Sequence, residues 1–174
     1  MYLPSEDSFH LAQSVKCYSG KSALEIGVGS GIVLKVLHEN FKIVAGTDID
    51  FASLIYCKGN LSKDILVACC DAASAFHYKF DLIVCNPPYI PIEDNETKDS
   101  SIHGGSNGIE TTLHFIKSAI SVLDQNGKML IIISSLSNNA KLDRFILQMK
   151  LKSRTIMERK LFFETLGTLE IGFK

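Results

Sequence analysis

Short apolar segments alternate with longer helix-forming segments from Ala23 to about Ser135. A run of four to eight apolar residues bounded by turn residues is typical of a buried strand. Strands separated by helices are joined by right-handed crossovers, which make the strands parallel and cover both faces of the sheet. We therefore predict a parallel sheet with strands at Ser22–Ile26, Lys42–Thr47, Ile65–Cys69, Phe80–Cys85 and Met129–Ser134, the last one after a turn at Gln125–Gly127.

The alternation changes near the end of the chain. We predict a helix from Asn138 to Lys152, a strand from Ser153, a short connection at Leu161–Glu164 and a last strand at Leu166–Phe173. Two strands joined without a helix between them must pair antiparallel. The 174 residues are 46% hydrophobic, enough for one core. We expect a single α/β domain over residues 1–174, with a mostly parallel sheet, a C-terminal antiparallel hairpin and helices on both faces.

A glycine-rich turn, Gly27-Val28-Gly29-Ser30-Gly31, joins the first strand to a helix that begins at Ile32. Glycines permit positive φ angles and let a ligand approach the backbone near the helix N-terminus. Asp48 and Asp71 end the second and third strands, where they could accept hydrogen bonds from ribose hydroxyls and from an adenine amine. The alternative is that each aspartate caps the segment that follows it as a helix N-cap.

These features fit both a nicotinamide dinucleotide and S-adenosylmethionine. In the dinucleotide fingerprint the third glycine follows the second by three positions, whereas Gly31 follows Gly29 by two. Glu25 is also a poor neighbour for a pyrophosphate but a suitable one for a cationic aminoacyl group. Both observations favour S-adenosylmethionine as the cofactor.

The tetrapeptide Asn86-Pro87-Pro88-Tyr89 directly follows the fourth predicted strand. Two consecutive prolines end the strand, and because neither has an N–H, nearby carbonyls can face outward without a competing backbone donor. A short group of acceptors followed by an aromatic ring suits a planar –NH2 group. We interpret the tetrapeptide as a substrate site; the simpler alternative is a turn that ends the strand.

With the glycine turn, both aspartates and Asn86–Tyr89 in this order, the chain resembles the HemK/PrmC family of release-factor glutamine methyltransferases, in its short archaeal and eukaryotic branch. Three further stretches are similar to that family: Tyr2–Phe9, Gly104–Gly108 and Phe163–Leu166. The resemblance implies a Rossmann-like class I methyltransferase with a seven-stranded sheet, in which residues 1–20 fold over the cofactor and residues 90–108 form an active-site loop. It implies S-adenosylmethionine contacts at Ser8, Glu25, Gly27, Gly29, Gly31, Asp48, Asp71, Ala72 and Asn86.

The resemblance also implies the reaction, which is methyl transfer to the side-chain amide nitrogen of the glutamine in the Gly-Gly-Gln motif of a class I peptide chain release factor. Asn86 and the carbonyl of Pro87 would accept the two amide N–H bonds, Tyr89 would pack against the amide plane, and Pro88 would complete the substrate site. Relatives in the short branch commonly act with a small zinc-binding activator protein that covers an apolar sheet edge, so such a partner is a further expectation.

Two other functions stay open. The same tetrapeptide serves methyltransferases that modify the amino group of a flipped adenine or cytosine in DNA or RNA, and the chain could instead be a non-catalytic cofactor-binding subunit. The formal charge of −1 lacks the strongly basic character of most nucleic-acid-binding proteins, although residues 141–160 contain seven Lys or Arg and two acids. Residues 93–99, near the tetrapeptide, contain four acids and one lysine, which also disfavours nucleic acid.

The remaining features concern location, metals and cysteines. Residues 1–7 carry acids where a signal peptide needs a basic flank, and no apolar run reaches about 18 residues, so we expect a cytoplasmic protein with no membrane contact. The five histidines lack ligand spacing, which argues against a metal site, and His103 is expected to be a solvated residue or a loop contact. The five cysteines form no C-x-x-C pair and are expected to be reduced core residues.

Overall fold

The computed structural model describes residues 4–92 and 103–174. Within these residues, seven strands form one sheet and five helices lie along the chain between or before them. In chain order the elements are α1 (Glu6–Val15), β1 (Gly20–Ile26), α2 (Ile32–Asn40), β2 (Phe41–Asp48), α3 (Phe51–Asn60), β3 (Leu66–Cys69), β4 (Phe80–Cys85), α4 (Glu110–Ile120), β5 (Leu123–Ser134), α5 (Asn139–Gln148), β6 (Leu151–Lys160) and β7 (Thr165–Phe173).

The strands are ordered β3-β2-β1-β4-β5-β7-β6 across the sheet. Strands β1 to β5 pair parallel, and β7 lies antiparallel between β5 and β6. From β1 the chain adds β2 and β3 on one side of the sheet, and it then adds β4 and β5 on the other side. The helices that follow β1 and β4 therefore diverge, which leaves a crevice at the carboxyl ends of these two strands. The predicted architecture, a mostly parallel sheet with a C-terminal antiparallel hairpin, is confirmed.

Two apolar layers hold the sheet between the helices. Side chains of α1, α2 and α3 pack with Leu82 and Val84 of β4 on one face, while α4 and α5 pack with Ile83 and Cys85 on the other. Alternate residues of a strand point to opposite faces, so a strand that is buried on both faces must be apolar throughout. This requirement explains why β4 is apolar throughout from Leu82 to Cys85.

Two local predictions were wrong. The helix predicted to reach Lys152 ends at Gln148, because Lys150 adopts a left-handed φ of 56° and Leu151 already pairs with Phe173. The predicted turn at residues 125–127 lies inside β5, where the register with β4 shifts between Phe80 and Leu82. Asn126 N donates to the Asp124 carboxylate at 2.9 Å, a local turn that accommodates the extra residues.

The cysteines are only partly in the core. Cys57 and Cys85 are buried, Cys70 is half-buried, and Cys17 and Cys69 are exposed, which corrects the expectation that all five are core residues. None of the helices in the described part of the chain combines the length and apolarity needed to span a bilayer.

Candidate active site

A cavity of about 540 Å³ opens at the carboxyl ends of β1, β2, β3 and β4. This is the position where open α/β sheets bind their ligands. With the exception of Gly31, the predicted site residues all line it: Ser8, Glu25, Gly27, Gly29, Asp48, Asp71, Ala72, Asn86, Pro87, Pro88 and Tyr89. The structure therefore brings the glycine turn, both aspartates and the tetrapeptide to one place.

The glycine turn is held open by the end of β2. The backbone N–H groups of Gly27 and Val28 donate to the Thr47 carbonyl at 2.8 and 3.0 Å. Gly27 has a φ of 78°, and a Cβ atom there would point across the cavity toward the Phe115 ring, 3.9 Å away. A side chain at this position would occupy ligand space and strain the backbone, so the turn fits a ligand that lies against it.

Gly31 is needed for a different reason. Its φ is 78°, and a Cβ atom would lie 2.9 Å from both the Cys57 sulfur and a Leu61 methyl group. It is the N-cap residue of α2, and it lies behind the cavity wall rather than in it. The third glycine of the turn thus allows α2 to begin close to α3, which is a packing role.

Asp48 fixes the turn through its carboxylate. One oxygen accepts from Gly29 N at 3.0 Å and the other from Asp50 N at 2.8 Å. The N-cap of α3 is Asp50, which accepts from Ala52 N at 3.0 Å, so the helix-cap alternative for Asp48 is wrong. A carboxylate offers about four acceptor positions, which leaves Asp48 able to accept from ribose hydroxyls as well.

Glu25 is a buried carboxyl group on the cavity wall. It is 4% exposed, and within the described residues its Oε2 atom has no hydrogen-bond partner. Burial raises the pKa of Glu25 well above its usual value; a backbone hydrogen bond from Leu34 opposes this effect, and the charge of Asp48 adds to it. A cationic group bound beside Glu25 would favour its ionised form.

Asp71 reaches the cavity from the end of β3, where it meets α4. Its Oδ1 atom lies 2.8 Å from the Nε2 atom of His114, and both side chains are at least half exposed. The residues after Asp71 form a turn, with Ser74 N donating to the Asp71 carbonyl at 3.0 Å. No described helix starts there, so the N-cap alternative for Asp71 is wrong as well. Ala72, with a φ of 46°, turns the chain into the cavity wall.

Asn86 follows β4 at the deep end of the tetrapeptide. Its side-chain Oδ1 atom is buried and, among the described residues, has no hydrogen-bond partner. Such an atom costs about 1–3 kcal/mol unless a ligand supplies a donor. Three residues further along, the Tyr89 carbonyl accepts from the Ser137 hydroxyl at 2.9 Å, which ties the tetrapeptide to the segment after β5.

The glycine segment Gly104–Gly108 closes against the tetrapeptide. Gly104 N donates to the Ile90 carbonyl at 3.0 Å, and a Cβ atom at Gly108 would lie 2.3 Å from the Tyr89 carbonyl oxygen. His103, which precedes this segment, is 7% exposed and forms an isolated parallel bridge with Ile90. Of the two alternatives expected for His103, the solvated residue was therefore wrong, and the structure shows a loop contact instead, because the loop packs inward here. The acidic stretch at residues 93–99 lies outside the described residues.

The N-terminal segment contributes α1. Asp7 and Ser8, in its first turn, line the cavity, and an Asp7 oxygen accepts from Ser8 N at 2.6 Å. Farther along α1, the Ser14 hydroxyl lies 2.8 Å from the Thr168 hydroxyl on β7, which anchors the helix to the sheet. Tyr2 and Leu3, which belong to the predicted segment, lie outside the described residues.

Several residues that line the cavity were not predicted from the sequence. Thr47 is one of the lining residues, and its buried hydroxyl has no partner among the described residues. Thr111, His114 and Phe115 reach the cavity from α4. The apolar residues Ile109, Leu113, Ile116 and Ile120 recur at helical spacing and could have revealed α4, but not which strand end it faces.

The family model described as Eco57I restriction-modification methylase matches residues 42–162. A protein named as a protein N5-glutamine methyltransferase from Methanocaldococcus jannaschii is 31% identical over 145 residues, which cover 79% of this chain and 74% of that protein. A release factor glutamine methyltransferase from Bradyrhizobium diazoefficiens is 29% identical over 142 residues, covering 72% of this chain and 48% of that protein. The E. cuniculi Mtq2–Trm112 complex, described as responsible for methylation of the eRF1 translation termination factor, gives a TM-score of 0.81 at 21% identity, covering 99% of this chain and 98% of that chain.

The sheet order, the cavity and the match over residues 42–162 define the class: the protein is a methyltransferase that shares the family of the Eco57I methylases. The M. jannaschii similarity narrows this assignment. The chain belongs to the family of protein N5-glutamine methyltransferases, and it is an enzyme of that kind. The family predicted from the glycine turn, the aspartates and the tetrapeptide is thereby confirmed.

Proposed function

We propose that this enzyme uses S-adenosylmethionine to methylate the side-chain amide nitrogen of the glutamine in the Gly-Gly-Gln motif of a peptide chain release factor. The observation that carries the proposal is the buried, unpartnered Oδ1 atom of Asn86, a residue that lines the same cavity as the glycine turn, Glu25 and Asp48. A single cavity therefore offers a place for a cofactor and, beside it, an acceptor for an amide N–H.

The residues present fit the cofactor. Glu25 would face the cationic aminoacyl end, Asp48 the ribose hydroxyls, and Asp71 with Ala72 the adenine, while Ser8 on α1 would cover the ligand. Gly27 and Gly29 would let it lie against the backbone. The cofactor, when bound, supplies an electrophilic methyl group on a sulfonium centre.

The protein's contribution to the reaction is to orient the target amide. An amide nitrogen is a weak nucleophile because its lone pair is delocalised into the carbonyl group. Asn86 Oδ1 and the Pro87 carbonyl would accept the two N–H bonds, and Tyr89 would pack on the amide plane, with Pro88 shaping the wall. Such positioning can contribute on the order of 7–11 kcal/mol, and the two acceptors stabilise positive charge that develops on the nitrogen.

Relatives support the choice of substrate. The B. diazoefficiens protein is named for release factor glutamine methylation, and the E. cuniculi complex is described as methylating eRF1. A release factor acts in the cytoplasm, so the proposal places this enzyme there. It also assigns residues 1–174 to one catalytic domain, with residues 1–20 folding over the cofactor and residues 90–108 bordering the substrate.

A second candidate activity is methylation of an amino group on adenine or cytosine. The match to the Eco57I restriction-modification methylase family favours it, because Asn86–Tyr89 lies within the matched residues. A planar base amine presents the same two N–H donors as a glutamine amide. The formal charge of −1 weighs against strong binding of a nucleic acid backbone.

One experiment separates these activities. The purified enzyme is incubated with labelled S-adenosylmethionine and, in parallel, with a release factor, the same factor with its Gly-Gly-Gln glutamine changed to alanine, double-stranded DNA and RNA. We expect one methyl group, located by mass spectrometry on the Gly-Gly-Gln peptide, and none on the changed factor. Label in nucleic acid alone would overturn the proposal in favour of the second candidate.

A small zinc-binding activator protein is the partner we propose, seated on the edge of the sheet at β3. Large apolar side chains are exposed on or beside α3 and β3: Ile49, Phe51, Ile55, Tyr56 and Leu66. The E. cuniculi relative is a complex with Trm112. Co-expression with such a partner should raise the yield of soluble enzyme, and Phe51→Ser should reduce the complex in size-exclusion chromatography.

A further inference from the structure

Two phenylalanine side chains stand in solvent at the tip of the hairpin that joins β6 to β7. Phe162 and Phe163 are 92% and 84% exposed, the highest values among the large apolar residues of the described chain. Their ring centroids are 4.7 Å apart with an interplanar angle of 79°, so they form one edge-to-face pair. The pair lies outside both apolar layers of the core and therefore contributes little to folding.

The hairpin tip is rigidly supported. Leu161 N donates to the Glu164 carbonyl at 2.8 Å, which closes the turn around the two rings. The Glu164 carboxylate accepts from the Ser134 hydroxyl at 2.5 Å, and Thr165 N donates to the Ser135 hydroxyl at 2.9 Å. Aromatic groups displayed on a fixed turn lose little conformational entropy when they bind, which is the property expected of an anchor.

The tip lies on the same rim as the tetrapeptide. Ser134, which holds Glu164, is three residues from Ser137, which donates to the Tyr89 carbonyl at 2.9 Å. Three residues of chain span at most roughly 10 Å. A protein that placed a loop in the cavity beside Asn86 would therefore bring its surface against this hairpin.

Charge beside the rings indicates what that surface carries. The last two residues of β6, Arg159 and Lys160, precede the tip and are exposed, and Arg159 is paired with Glu6 at 2.6 Å. Lys160 adds a positive charge on one side of the apolar pair, and the Glu164 carboxylate adds a negative charge on the other. A complementary surface is apolar at its centre, with charged side chains of both signs at its border.

We propose that Phe162 and Phe163 are the docking anchor for the substrate protein, contacting it outside the loop that carries the methylated glutamine. The inference rests on the proposed function. The release factor is named as the docked protein because the hairpin lies on the same rim as the catalytic cavity. Buried aromatic anchors commonly dominate the binding energy of protein interfaces. Docking at the hairpin would select an intact folded factor over other glutamine-containing segments.

The test compares wild-type enzyme with the double variant Phe162→Ala/Phe163→Ala. The variant should raise KM for the release factor at least tenfold, weaken binding of the factor in the presence of S-adenosylhomocysteine by a similar factor, and leave kcat within about twofold. The melting temperature and the affinity for S-adenosylhomocysteine should stay unchanged, because both rings are exposed. Leu147→Ala is the matched control: this 64% exposed side chain lies at the far end of α5 and should affect none of these quantities.

Each result is informative. Unchanged KM and binding for the double variant, with a wild-type enzyme that methylates the factor, would overturn the docking anchor and leave the proposed function intact. Loss of activator binding with unchanged factor binding would overturn it too, by assigning the rings to a different partner. A wild-type enzyme that does not methylate the factor would overturn the proposed function itself.

Discussion

Glu25→Gln tests whether the buried carboxyl group is the counter-charge for the cationic end of the cofactor. The substitution keeps the size of the side chain and removes its ability to ionise. In the wild-type protein, burial is the largest influence on the pKa of Glu25 and raises it well above the usual 4.5. The variant should therefore be more stable than the wild type toward pH 8 but should bind the cofactor more weakly.

The stability effect has a definite sign. A carboxyl group whose pKa is higher in the folded state than in the unfolded state gives the folded state more bound protons between the two pKa values. Stability then falls as the pH rises from about 4.5 toward the folded pKa, by up to about 1.4 kcal/mol per pH unit. Glutamine stays neutral, so Glu25→Gln should match the wild type near pH 4 and become the more stable protein toward pH 8, as measured by urea unfolding.

Ligand binding should weaken in the same variant. A hydrogen bond to a charged group contributes roughly 1.5–3 kcal/mol, which corresponds to about ten- to hundredfold weaker binding of S-adenosylhomocysteine in calorimetry. Glu39→Gln, an exposed glutamate on α2, is the matched control and should change neither quantity. A Glu25→Gln protein that is less stable at pH 8, or that binds with wild-type affinity, would refute this role for Glu25.

Three further substitutions test other parts of the site. Asn86→Ala should lower kcat by roughly 10²–10³-fold while sparing S-adenosylhomocysteine binding, because it removes an acceptor for the reacting amide; unchanged turnover would exclude Asn86 from the mechanism. His114→Ala removes the 2.8 Å contact that orients Asp71 and should weaken cofactor binding about two- to tenfold with kcat unaffected; equal calorimetric affinities would contradict this. Gly31→Ala should destabilise the fold by at least about 1–2 kcal/mol in urea unfolding, since its φ is 78° and Cys57 leaves no space for a methyl group.

Local sequence signals predicted the elements that have clear local boundaries. α3 spans Phe51–Asn60, because Asp50 caps its start and an apolar face continues to Cys57. β4 ends where the prolines require it to end, which places Asn86 at the sheet edge. These features depend on neighbours in the sequence, and such neighbours are visible without a structure.

Features that depend on distant residues could not be predicted in the same way. The hydrogen bond between Asp71 and His114 joins residues 43 positions apart, and the buried position of His103 depends on its bridge to Ile90. The packing role of Gly31 was not predicted, because its close neighbours are Cys57 on α3 and Leu61 directly after that helix. A glycine motif shows that a side chain is excluded at a position, but not which neighbour excludes it.

The distribution of unpartnered polar atoms connects the stability of this enzyme with its function. In the described part of the chain, five buried side-chain atoms lack a hydrogen-bond partner, and three of them belong to residues that line the cavity, Glu25, Thr47 and Asn86. At about 1–3 kcal/mol each, these three atoms cost roughly 3–9 kcal/mol, a large share of the 5–15 kcal/mol that typically stabilises a domain. Apolar groups of similar shape would fold more stably at these positions. The presence of these three polar side chains is explained if bound ligands supply their missing hydrogen-bond partners. Cofactor and substrate should therefore each raise the stability of the enzyme as they bind.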